Sequence, residues 1–223
     1  MKIAIEGMDG VGKTTLAKEL CEKYNFKYIE RPIKEMFGLE RGTKEYEHID
    51  MRENEIYDSN NLKLRAWLTG MGNIYALMQE GDYILDRSYL SNYFWAGNKE
   101  TERIFETMID LVGTPDLTVI LFASTETRLN RISKRNGKDR DLGDLEVAQF
   151  GYDKMSYFVR KFKIPYVAIN TENKTPEEVF RETESKIAEK GINLETKEIN
   201  LLKEKEKESQ EIDTKIDELM EVG

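Results

Sequence analysis

Residues Gly7-Met8-Asp9-Gly10-Val11-Gly12-Lys13-Thr14 complete a G-x-x-x-x-G-K-T pattern between an apolar, strand-like run (Ile3-Ala4-Ile5) and a helix-like run (Leu16-Ala17-Lys18-Glu19-Leu20). Strand, glycine loop and helix in that order constrain the fold more than any other feature of the chain. Gly7, Gly10 and Gly12 let successive main-chain N–H groups turn inward around an anion, and the helix N-terminus adds its partial positive charge. Lys13 is then placed to reach the β- and γ-oxygens of a triphosphate, and the Thr14 hydroxyl is placed for Mg²⁺. A glycine turn that binds nothing needs neither the Lys-Thr pair nor glycines at all three positions, so the pattern predicts a nucleoside triphosphate site.

Five short apolar runs read as buried strands: 2–6, 27–30, 83–86, 117–122 and 166–170. They alternate with amphipathic stretches that predict helices over 13–23, about 60–80, 100–111, 125–135, 145–162 and 176–190, the last behind Thr175 as N-cap. Such alternation predicts a three-layer α/β fold with a five-stranded parallel sheet covered on both faces. Sites in these sheets lie at the carboxyl ends of the strands, where Glu6-Gly7, Glu30-Arg31 and Asp86-Arg87 fall. With 223 residues and 39% hydrophobic content, one main domain over 1–190 accounts for the core.

Several function classes are disfavoured. One cysteine (Cys21, read as a small core residue) and one histidine (His48, in a charged stretch) leave no disulfide, no His-based triad and no multi-His metal centre. Catalysis would rest on Lys, Arg, carboxylates and a metal. The net charge of −9 argues against nucleic acid as the main partner. With no run of ~18 apolar residues, a soluble cytoplasmic protein away from membranes is expected. Residues 191–223 form a Lys/Glu-rich extension, read as helical and solvated. From Glu195 onward it holds five lysines against ten acidic residues, −5 of the −9, so the body is nearer neutral.

Two further segments carry chemistry. Asp86-Arg87 ends the third strand, where a carboxylate serves Mg²⁺ and the guanidinium grips a phosphate or hydroxyl. The run from Arg128 through Arg131, Lys134, Arg135 and Lys138 to Arg140 crosses a glycine turn, as expected of a lid, near 131–144, whose cations close over transferring phosphates.

These residues resemble the thymidylate kinase family and, more broadly, the superfamily it shares with deoxynucleoside kinases. The similarity runs through Ile5-Glu6-Gly7-Met8-Asp9-Gly10-Val11-Gly12-Lys13-Thr14-Thr15, through Asp86-Arg87-Ser88-Tyr89-Leu90-Ser91 to Gly97, through the R-x-x-x-D-R spacing of Arg135 to Arg140, and through Pro115-Asp116-Leu117-Thr118. It implies an ATP- and Mg²⁺-dependent kinase of a deoxynucleoside monophosphate such as dTMP, acting as a homodimer. Residue by residue, it implies that Asp9 meets the acceptor's 3′-hydroxyl, Arg87 its phosphate, and Asp86 the metal. Thr15 and Arg131 join the donor site, Ser91 the acceptor site, and Arg135 with Arg140 supply lid charge. Gly10 stands where some members carry an arginine, which points to lid cations as the catalytic charge.

The chain also departs from the family. Glu30-Arg31-Pro32 interrupts the usual Glu-Pro, and the phenylalanine found four residues before an arginine in the base-binding helix has no counterpart in register. Arg65, Trp67 and Tyr75 are the nearest candidates for the acceptor's base. The alternative is a deoxynucleoside kinase, with Glu30 as the base that deprotonates a 5′-hydroxyl. A nucleotide-dependent switch is a weaker reading, since Asn98-Lys99-Glu100-Thr101 lacks the aspartate of N-K-x-D.

Overall fold

Strand β1 (Lys2–Glu6) lies at the centre of a five-stranded parallel sheet in the order β2-β3-β1-β4-β5, with β2 at Lys27–Ile29, β3 at Tyr83–Asp86, β4 at Leu117–Phe122 and β5 at Tyr166–Asn170. The computed structural model describes residues 1–30, 32–135 and 145–195, without the side chains of 135 and 145–150. Arg31, the lid residues Lys138, Asp139 and Arg140, and nearly all of the expected tail lie outside the described residues. No described helix is long and apolar enough to cross a membrane.

The apolar alternation of β1 explains the layering. Ile3 and Ile5 point into one cluster with Ile84, Val119 and Leu121, closed by Leu16 and Leu20 of α1 (Lys13–Tyr24) and by Val179 and Ile187 of α9 (Pro176–Glu189). Ala4 points the other way, into a cluster of Leu85, Ile29, Tyr93, Phe105 and Phe158. Those rings come from α5 (Tyr89–Ala96), α6 (Glu102–Val112) and α8 (Leu145–Phe162). Period-two burial on two covered faces is what a parallel sheet requires.

Register sets the site. Ile5 is paired with Asp86 on one side and Val119 on the other, so the loop after β1 and the Asp86-Arg87 step leave the sheet side by side.

The structure differs from the sequence reading mainly between 32 and 96. The helix expected over 60–80 is α4 (Leu62–Met78), and a separate helix α3 (Lys44–Asp58) precedes it, with a short α2 (Pro32–Met36) before that. Thr43 caps α3 by accepting the Tyr46 N–H at 3.2 Å, and Asn61 caps α4 by accepting the Leu64 N–H at 3.0 Å. Ser59, the extended C-cap of α3, and Asn61, the N-cap of α4, stop the two from forming one continuous helix. Of α3 only Tyr46 is buried, which left no apolar stripe to read. Within the Asp86-to-Gly97 segment, Tyr89–Ala96 proves helical, as α5.

Candidate active site

The loop of residues 7–12 is shaped by what its glycines must avoid. Gly7 has φ 138°, and a Cβ there would lie 2.3 Å from the Leu121 carbonyl oxygen. At Gly10 (φ 84°) a Cβ would meet the Arg128 carbonyl oxygen at 2.7 Å, so the main chain of α7 (Thr125–Arg135) leaves no room for a side chain. Gly12 (φ 96°) is the N-cap of α1, with no side-chain cap and no acidic residue in the first turn. The first-turn N–H groups of α1 are thus open to an anion, and the helix dipole favours it.

Around this nest the charges interlock. Lys13 is 5% exposed; its amine donates to the Met8 carbonyl at 2.9 Å and to Asp9 at 3.2 Å. Burial lowers the Lys13 amine to about 8, the Arg87 charge adding to the fall and Asp9 and Asp86 opposing it. Arg87 also donates to Asp9, so one carboxylate holds the loop lysine and the strand-end arginine together.

Asp86, 5% exposed, accepts from the Thr14 hydroxyl at 2.6 Å and from the Tyr28 phenol at 2.8 Å, both on Oδ2. Its Oδ1 has no hydrogen-bond partner. Burial and then the Asp86 charge push the Tyr28 phenol well above its ordinary value. A hydroxyl beside a carboxylate with a spare oxygen is a hard-donor pair that fits Mg²⁺, which commonly takes one or two protein ligands and completes its shell with water and phosphate.

A single cavity of about 750 Å³ joins three zones. Arg131, Thr171, Lys174 and Pro176 line one end, the loop and Asp86-Arg87 the middle, and Glu30, Lys34, Glu53, Tyr57, Thr69, Asn73 and Asn92 the other. Arg131 donates to Thr171 through its hydroxyl (3.0 Å) and carbonyl (2.6 Å), tying α7 to the loop after β5. Lys34, 4% exposed at its side chain, donates to Asp50 at 2.6 Å and to Glu53, which fastens α3 over the far end.

The loop residues Gly10, Gly12, Lys13, Thr14 and Thr15, with Asp9, Asp86, Arg87, Glu30 and Arg131, therefore meet in one cavity. Three residues expected at the acceptor stand elsewhere. Ser91 is buried and its hydroxyl donates to Glu6 at 2.5 Å. Arg65 is spent on main-chain carbonyls, Ser59 at 2.7 Å, Trp95 at 3.1 Å and Tyr57, where it joins the α3–α4 turn to α5. Trp67 is 46% exposed and does not line the cavity. Nor is Arg128 a lid cation: it is 2% exposed and braces the loop from below, 3.5 Å from the Asp9 carbonyl. Lys134 is exposed on α7 and the Arg135 side chain lies outside the described residues.

Sequence reasoning missed Asn73 and Thr69. Both are buried on α4, one turn apart, both line the cavity, and the Asn73 amide nitrogen has no partner. Their signal was legible: two polar residues at i, i+4 on a helix face whose other buried residues are apolar or glycine.

Comparison with known proteins places the chain in a family. The family model for thymidylate kinase matches residues 5–183. A probable thymidylate kinase of Archaeoglobus fulgidus is 33% identical over 143 residues, 60% of this chain and 70% of that protein. One from Methanococcus vannielii is 28% identical, covering 81% and 91%. Among solved structures, a deoxyadenosine kinase from M. mycoides with dCMP and dCDP bound superposes with a TM-score of 0.58 at 18% identity, covering 85% of this chain and 99% of that one, which speaks to the fold. The chain belongs to the thymidylate kinase family and is a nucleotide kinase.

Proposed function

We propose that this kinase transfers the γ-phosphoryl group of ATP, with Mg²⁺, to dTMP. The observation that carries the reading is the continuity of the cavity: the glycine-loop nest opens directly onto Arg87 and then onto a polar chamber under α3 and α4. ATP would lie with its phosphates on the α1 N-terminus and Lys13, and its base toward Arg131 and Thr171. Thr14 and Asp86 would hold Mg²⁺, which neutralises charge as the γ-phosphoryl departs. A monophosphate acceptor attacks with an oxygen already ionised at neutral pH, so alignment and cationic charge suffice. Arg87 would meet that phosphate once Asp9 turns to the acceptor's sugar, and Asn73, Thr69 and Asn92 would read the base. Arg135 and Arg140 remain the proposed lid cations, and 1–190 the catalytic unit.

Purified protein incubated with labelled ATP and each (deoxy)nucleoside and monophosphate tests this; absence of transfer to every acceptor overturns it. The second reading, a deoxynucleoside kinase, is favoured by Glu30 on the cavity wall. Glu30→Gln abolishes transfer to a nucleoside and leaves transfer to a monophosphate largely intact. We also propose a cytoplasmic homodimer. Trp67, Met71 and Met78 form an exposed stripe along α4, of the kind that a second copy covers.

A further inference from the structure

Glu6 ends β1 immediately before the first loop glycine, and none of the roles above uses it. Its carboxylate is fully buried. Oε1 accepts the main-chain N–H of Ser88 at 2.7 Å, of Leu90 at 3.0 Å and of Ser91 at 3.3 Å; Oε2 accepts the Ser91 N–H at 3.2 Å and the Ser91 hydroxyl at 2.5 Å. Burial raises the carboxyl, while the bonds from Ser91 and Ser88 and the charge of Arg87 pull it back.

Those N–H groups are the ones a helix start leaves without intrahelical partners, and an N-cap side chain normally takes one of them. Ser88, the N-cap of α5, makes no such bond, and its own hydroxyl oxygen has no partner. The cap of α5 therefore arrives from another strand, 82 to 85 residues away in sequence. Directly upstream, Arg87 holds φ 84°, a left-handed conformation that a non-glycine residue keeps only where its surroundings enforce it. Two anchors flank it: its own N–H donates to the Ile5 carbonyl at 3.1 Å, and the next residue's N–H donates to Glu6.

We propose that Glu6 is a positioning residue, which by clamping the 88–91 turn holds Arg87 in its left-handed conformation and aims the guanidinium at the edge of the phosphate loop. The proposal rests on the reading that Arg87 engages the acceptor's phosphate. Phosphate loop and the main chain of the acceptor arginine are then fixed to each other through one carboxylate, so the Arg87 side chain starts from a set position relative to the loop.

The test is a double-mutant cycle in the full chain, Glu6→Gln against Arg87→Ala, with KM for acceptor and for ATP measured separately and folding followed by circular dichroism. Gln keeps the side chain's size but turns an amide N–H₂ toward donors. Expected is a rise of about tenfold in acceptor KM for Glu6→Gln with ATP KM within twofold, and no further rise when Glu6→Gln is added to Arg87→Ala. Effects that add, or that fall equally on both substrates, mean a merely structural clamp and overturn the proposal. Should Glu6→Gln fail to fold, Ser91→Ala removes one of the bonds to Glu6 and carries the same cycle, with an expected rise of about threefold and the same reversal if it is additive or absent. Arg87→Ala that leaves acceptor KM unchanged overturns the underlying reading of Arg87 and the proposal with it; an Arg87 effect without a Glu6 or Ser91 effect overturns the proposal alone.

Discussion

At the proposed donor end the cavity wall is one unbroken stretch of chain, Asp9 to Thr15, where the N-terminus of α1 has no side-chain cap and the Lys13 amine folds back onto the Met8 carbonyl. At the proposed acceptor end the polar side chains come from separate elements: Glu30 after β2, Lys34 of α2, Glu53 and Tyr57 of α3, Thr69 and Asn73 of α4, and Asn92 of α5. The first end is built by a turn whose shape glycine permits and whose flanks are a buried strand and a helix. The second is assembled by ion pairs and caps, with Lys34 holding Asp50 and Glu53 and Asn61 starting α4. A scaffold of main-chain donors recognises what all donors of the phosphoryl group share, whereas side chains on separate helices can be exchanged to suit the acceptor.

Four measurements test that contrast. Lys13→Ala removes the cation proposed to meet the γ-phosphoryl and should cost about a thousandfold or more in kcat, roughly 4 kcal/mol, whatever acceptor is supplied. A loss that varies with the acceptor would show that the two ends are not separable. Asn73→Ala should raise acceptor KM by about ten- to a hundredfold, since a buried amide that reads a base leaves base atoms unpaired when removed. ATP KM should stay put, and an equal rise in both would break the comparison from the other side.

Lys34→Met strands two carboxylates beneath α3. Because Asp50 and Glu53 are 35% and 14% exposed, solvent screens them, and the expected loss is about 1–2 kcal/mol in a urea melt rather than the larger figure for a sealed pair. Acceptor KM should rise with it, because α3 covers that end; an unchanged KM would detach α3 from recognition. The smallest effect is expected on the donor side, where Thr175→Ala removes the capping box that Thr175 and Glu178 form at the start of α9. About 1 kcal/mol of stability should go, a fall of about 3 °C in Tm by calorimetry. A larger drop would mean that α9 carries more of the donor end than its cap.

The contrast also explains what could be read in the residues. All five strands were legible because each is a short apolar run flanked by helices of clear period, and the loop was legible because its chemistry is contiguous. The helices between 32 and 96 that escaped the reading did so for different reasons. Helix α3 buries one residue and is held by Lys34, an ionic contact between elements that carries no periodicity. Helix α5 is capped by Glu6, and no local pattern announces a cap from another strand. Ser91 and Arg65 looked available because their neighbours suggested function; only packing shows that Glu6 and three carbonyls already hold them.

Composition and order of residues determined by themselves that this chain makes a parallel sheet, places a phosphate nest at the end of its first strand and puts Asp86-Arg87 at the end of another, because hydrophobic period and glycine stereochemistry are local properties; the pairing of Ile5 with Asp86 that sets the two side by side is tertiary. Which polar side chains face the acceptor, and how Arg87 is held, was decided only in three dimensions. Those choices depend on which buried donors and carboxylates find each other across strands and helices far apart in the chain, and on the cost of leaving any of them without a partner.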